Sequence, residues 1–150
     1  MDLKGKTALV TGGSRGIGRA VALAFATAGA NVSLCARDLT KAELVAEEAR
    51  ALGVEALAVK ADIAYPAEVE ALIQACLGKF GRLDILVNNA GIVKDALIVR
   101  MKDEDWDAIM DTNLKSVFKA SKAVLRGMMK ARWGRIINIA SVVGAMGNAG

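Results

Sequence analysis

The chain has 150 residues, enough for one domain with a substantial core and short of two, and its 54% apolar and 24% charged residues with a single proline describe an ordered globular unit. The net charge of +4 comes from 20 basic and 16 acidic residues scattered along the chain, which excludes the basic block expected of a nucleic-acid binder. With no histidine, neither a His-based triad nor a His-ligated metal is available.

The opening "MDLKGKTALV" lacks the apolar stretch and cleavage site of a signal peptide, so a cytoplasmic location is expected. It leads into a first strand at 7–10, "TALV", and then into "TGGSRGIGRA". There Gly12, Gly13, Gly16 and Gly18 separate the strand from a helix at about 17–28. The spacing G-x-x-x-G-x-G differs from the commoner G-x-G-x-x-G, but the physics is shared. Glycines allow a tight turn and close backbone approach, and the helix N-terminus offers free N–H groups and a positive dipole end to a pyrophosphate. Gly12, Ser14, Arg15, Gly16, Ile17 and Gly18 are therefore candidate cofactor-binding residues. A glycine turn used for packing alone is the competing reading.

Gly29 ends the first helix, and "NVSLC" at 31–35 forms the second strand. The apolar run "VALAFATAGANVSLCA" is broken at Gly29 and Asn31, well short of the ~20 residues a membrane span needs. A carboxylate at the end of this strand would bind ribose hydroxyls and repel a 2′-phosphate. Here Ala36 takes that place, followed by Arg37, and Arg15 in the glycine loop can reach the same phosphate. Charge-assisted hydrogen bonds contribute ~1.5–3 kcal/mol each, so two of them favour NADP(H) over NAD(H) by roughly a hundredfold. Ordinary solvated arginines are the alternative, and the preference weakens if Asp38 rather than Arg37 faces the ribose.

A helix at 39–52, Gly53, a strand "VEALAV" at 54–59, the Tyr65-Pro66 helix start and a helix at 66–79 follow. Next come a strand "DILVN" at 84–88, one or two helices within 103–131 opening on the acidic "KDEDWDAIM", and a strand "RIINIA" at 135–140. Strand and helix alternate throughout, which predicts an α/β fold. Its expected form is a doubly wound parallel sheet of about five strands in order 3-2-1-4-5, one dinucleotide-binding domain over 1–150 with its crevice at the carboxyl ends. Cys35 and Cys76 match no metal or redox spacing and are read as packed, as are Trp106 and Trp133.

"TGGSRGIG" together with "NNAG" at 88–91, "ADI" at 61–63, "TNL" at 112–114 and "NIAS" at 138–141 resembles the short-chain dehydrogenase/reductase family across the whole chain. Within it the likeness is greatest to 3-oxoacyl-acyl-carrier-protein reductases. The resemblance implies NADPH-dependent reduction of a carbonyl, as a small molecule or borne on an acyl carrier, with no nucleic acid, membrane or metal involved. It places Asp62 and Ile63 beside the adenine and Asn88, Ala90 and Gly91 beneath the nucleotide; a polar clasp between strand ends is the second reading of Asn88. It assigns Ser141 to hydrogen-bond the substrate carbonyl, and Asn113 to a helix bend and proton relay.

The family's Y-x-x-x-K pair has no counterpart in these residues. The only tyrosine, Tyr65, precedes Pro66 and has Val69 where the lysine belongs. The sequence is thus expected to be the first part of a longer reductase, inactive by itself, with strand 135–140 as an open edge. A homo-oligomer is expected through helix 113–131 and that edge. A noncatalytic nucleotide-binding or assembly module is the alternative.

Overall fold

The computed structural model describes residues 2–147. Strands β1 (Thr7–Thr11), β2 (Asn31–Ala36), β3 (Ala56–Lys60), β4 (Ile85–Asn88) and β5 (Arg135–Asn138) form one sheet in the order β3-β2-β1-β4-β5, parallel at every pairing. Helices α1 (Gly16–Thr27), α2 (Leu39–Ala51) and α3 (Pro66–Phe80) are the crossovers between the first four strands. Between β4 and β5 run a 3-10 turn (Ile98–Arg100), α4 (Asp103–Met110), a π-turn (Asp111–Lys115) and α5 (Ser116–Ala131); a short α6 (Val143–Met146) follows β5. The expected class and strand order are both present.

Side-chain alternation along buried strands feeds two cores. Ala8, Val10, Val32, Leu34, Ile85 and Val87 point into the layer with Ala22 and Ala26 of α1 and Ala42, Val45, Ala46 and Ala49 of α2. Leu9, Cys35 and Leu86 point the other way, to Val69, Leu72, Ile73 and Cys76 of α3 and Ala120, Val124 and Met128 of α5. Small residues on α1 and α2 let those helices lie close to the sheet. Each fully buried leucine, such as Leu9, Leu34, Leu72 and Leu86, contributes about 1.5–3 kcal/mol.

The strand starts are pinned by one carboxylate. Asp84, 2% exposed, accepts from the Thr7 N–H at 2.9 Å and from Arg82 Nε and Nη2 at 2.7 and 2.6 Å. Its own N–H donates to Thr7 O and its carbonyl accepts from Arg135 N, so β1, β4 and β5 meet on this residue. Trp133 packs beside them with Lys6 Nζ 3.9 Å from its ring centroid and the Arg135 guanidinium at 5.1 Å, as the reading of it as a packing residue requires. Trp106 differs: it lies 55% exposed on α4, a helix that buries none of its residues.

Boundaries shift where local bonds compete with the apolar pattern. The third strand begins at Ala56 rather than 54; just before it, Glu55 N donates to the Asn31 side-chain Oδ1 at 3.1 Å, tying the approach to β3 to the start of β2 through a side chain. The segment within 103–131 is two helices joined by a widened π-turn, where Ser116 Oγ donates to Thr112 O at 2.5 Å and Lys115 pairs with Asp111 at 2.9 Å.

Candidate functional site

In a parallel sheet every strand delivers its next residues to the same edge. The segments after Thr11, Ala36, Lys60, Asn88 and Asn138 therefore collect there, and they carry every candidate residue except Asn88, which ends β4, and Asn113, which sits in the π-turn.

The glycine loop is held at both ends. Gly13 N–H donates to Cys35 O at 3.0 Å, tying the loop to β2. Gly12 has φ +65°, and a Cβ there would sit 2.9 Å from Ala90 Cα, so the loop lies directly against the "NNAG" segment. Gly18 faces the Gly12 carbonyl and the Asn89 amide so closely that a Cβ would be 2.5 Å from Asn89 Nδ2. Packing thus explains Gly12, Gly13 and Gly18, while Gly16 borders open space. Helix α1 begins at Gly16 with no side-chain cap and no acid in its first turn. Its leading N–H groups are therefore available to an anion, and exposed Arg15 and Ile17 and half-buried Ser14 surround them.

Two residues not singled out from sequence build the junction. Thr11 Oγ1 accepts from Asn89 N at 3.0 Å and Ala90 N at 3.1 Å and donates to Val87 O at 3.3 Å. Asn89 Nδ2 donates to Thr11 O at 2.9 Å and Gly12 O at 3.3 Å. Their signal was available: a hydroxyl and an amide flanking glycine turns at strand ends can satisfy the turns' backbone groups.

Asn88 is a clasp. Its Nδ2 donates to Asn138 Oδ1 at 2.8 Å and Ser121 Oγ at 3.3 Å, joining β4, β5 and α5, so these N–H groups are turned into the protein. Ile63 is buried among Leu9, Cys35 and Val69, leaving its backbone rather than its side chain toward the edge. Asp62 is partly exposed, with Oδ1 accepting from Ala64 N at 3.1 Å. Ala90, half-buried, and Gly91, exposed, follow β4 at the carboxyl edge of the sheet. Asn113 grips the same segment twice: Oδ1 accepts from Ile92 N and Nδ2 donates to Ile92 O, both at 2.8 Å. Asn113 lies within the π-turn Asp111–Lys115.

Arg37 is exposed and, like Arg15, forms no ion pair among the described residues. Asp38 is committed elsewhere: it caps α2, with its carboxyl held below the usual range by the Lys41 backbone N–H and then by the Lys41 side chain. Ser141 is exposed after β5, its Oγ 3.4 Å from Val143 N. Tyr65 precedes α3 on the β3 side, and β3 and β5 are opposite edges of the sheet, so Tyr65 and Ser141 are kept apart. Burial pushes the Cys35 thiol up to about 11 and the Cys76 thiol to about 12, so neither is a nucleophile at neutral pH. Among the described residues there is no group of three His, Cys, Asp or Glu that can hold a metal, and no helix is long and apolar enough to cross a membrane.

Known proteins are similar to this chain in sequence and fold. The chain is 53% identical over 150 residues to a 3-oxoacyl-[acyl-carrier-protein] reductase of Pseudomonas aeruginosa, covering all of this chain and 61% of that protein. It is 50% identical to the reductase of the same name from Escherichia coli, covering 60% of it. It thus spans about three-fifths of the length of the curated relatives it matches. A metagenomic short-chain oxidoreductase solved in complex with NADP superposes with a TM-score of 0.93 at 39% identity, over 98% of this chain and 67% of that one. The family model described as short chain dehydrogenase matches residues 6–150, and the chain belongs to that family.

Proposed function

We propose that this chain supplies the nucleotide site and part of the catalytic apparatus of an NADPH-dependent carbonyl reductase acting on a 3-oxoacyl thioester carried by an acyl carrier protein. One observation carries the nucleotide half of this reading. The α1 N-terminus is uncapped and free of acids, and it lies beside a glycine loop whose close contacts leave Gly16 and the flanking Arg15 facing outward. A pyrophosphate fits those N–H groups. Arg15 and Arg37 would meet the 2′-phosphate, a reading strengthened because Asp38 serves α2 instead. Bound there, the cofactor supplies a hydride. Ser141 would hydrogen-bond the substrate oxygen, and Asn113 would fix the Ile92 segment beside it. The substrate class comes from the names of the relatives.

Titration of the chain with NADPH and NADH tests this. NADPH is expected to bind roughly a hundredfold more tightly, and Arg37→Ala to remove about tenfold of that preference. A folded chain that binds neither dinucleotide would overturn the reading.

The separation of Tyr65 from Ser141 favours a second statement: these 150 residues bind the cofactor without turning it over. Missing proton donors cost about 10²–10⁴-fold. Steady, protein-proportional loss of NADPH absorbance with a 3-oxoacyl thioester would refute it.

We also propose self-association through α5. Leu114, Phe118, Leu125 and Met129 follow one another at helical spacing, all exposed, Phe118 at 58% and Met129 at 73%. Strand β5, which among the described residues pairs with β4 alone, adds an edge with Ile137 and Ile139 exposed. Light scattering is expected to show a dimer that Phe118→Glu converts to monomer; an unchanged mass would exclude α5 as the contact.

A further inference from the structure

We infer that Lys60 is a third cation of the 2′-phosphate site and a specificity-determining residue for NADPH; this rests on the cofactor reading above. Nothing in the glycine loop points to it, and the sheet register does. Lys60 ends β3 directly opposite Ala36, the position left without a carboxylate at the end of β2, and the two strands are joined just beyond by Ala61 N–H donating to Ala36 O at 3.1 Å.

Its side is set by parity. Ala56 and Ala58 pack with Val32, Leu34 and Ala36 into the layer under α1 and α2, whereas Val59 and Ala61 pack into the opposite layer. Lys60 therefore leaves the sheet on the Ala36 side, where the layer ends and the lysine is exposed. Arg15, Arg37 and Lys60 thus follow or end three adjacent strands, β1, β2 and β3, at the same edge.

The local acids are occupied. Asp38 bonds the Lys41 N–H and pairs with Lys41 Nζ at 3.3 Å, Glu68 accepts from Asp62 N at 2.8 Å, and Asp62 Oδ1 accepts from Ala64 N. Among the described residues Lys60 forms neither an ion pair nor a side-chain hydrogen bond. An ammonium left free beside a position stripped of its carboxylate suits a dianionic phosphate monoester and gives nothing to an unphosphorylated ribose.

The test is calorimetric titration of the whole chain with NADPH and NADH, using wild type, Lys60→Gln, Lys60→Arg and Lys79→Gln. Lys79 pairs with Glu55 before the start of β3, so its neutralisation changes net charge equally at the other end of the strand. Lys60→Gln is expected to weaken NADPH about tenfold and NADH less than twofold. Lys60→Arg should retain most of the NADPH affinity, and Lys79→Gln should change either ligand less than twofold. A Lys60→Gln chain matching Lys79→Gln, with the wild-type preference intact, overturns the role of Lys60 alone. A wild-type chain without preference for NADPH overturns the cofactor reading beneath it.

Discussion

Gly18→Ala is expected to abolish measurable dinucleotide binding, a loss of at least about a hundredfold, and to destabilise the fold by about 2–3 kcal/mol. The added methyl would be driven between two groups that cannot yield. One is the Gly12 carbonyl of the loop itself; the other is the Asn89 amide, already bonded to Thr11 O and Gly12 O. Relief requires α1 to back away from β1, which carries the uncapped N–H groups out of register with the loop. Gly78→Ala is the matched control. It lies within α3 with open space around it, and there alanine is expected to stabilise by about 0.5–1 kcal/mol. Urea midpoints and calorimetric titration measure both effects. A Gly18→Ala chain that binds like wild type would show that the loop moves freely, against the packing described.

Asp84→Ala is expected to cost about 2–4 kcal/mol of stability. The substitution leaves the buried Thr7 N–H without a partner and breaks two bonds from Arg82, whose side chain remains half in water. Asp84→Asn, which keeps one acceptor, should recover part of the loss. The hydrogen bond to Asp84 raises the Arg82 pKa above its ordinary value. A raised value stabilises at every pH below the unfolded one, so Arg82 adds no pH dependence across the working range. Urea denaturation gives the cost directly. Because this carboxylate sits at the strand starts, the folded fraction should bind dinucleotide normally; a change in affinity would mean that the two ends of the sheet are coupled.

Most of the fold could be read from the order of residues, because strand and helix signals are local. Apolar β-rich runs, Gly29 and Gly53 past helix ends with φ +87° and +88°, and Pro66 opening α3 each act within a few positions. The candidate site could be proposed where a motif combines backbone freedom with charge, as in the glycine loop. It was not legible where the decisive bond spans the chain. A clasp between strand ends could be read for Asn88, but not that its partners are Asn138 and Ser121; a turn-satisfying hydroxyl could be read for Thr11, but not that it serves residues 78 and 79 positions later. Trp106 misled for a related reason: a large aromatic side chain predicts burial only if some neighbour arrives to cover it, and among the described residues α4 is at most half-buried, with Trp106 on its open side. The α5 segment carried both an irregularity and an apolar stripe, and only the structure separates the face that packs on the sheet from the face that does not.

The buried carboxylate at Asp84 and the stacked cations on Trp133 anchor one end of the sheet, while Arg15, Arg37 and Lys60 form no ion pair among the described residues at the other. Such a division makes those three positions inexpensive to change. If they meet the 2′-phosphate as proposed, exchanging them would retune the choice of dinucleotide with little thermodynamic penalty, since among the described residues no ion pair or side-chain hydrogen bond runs through their side chains.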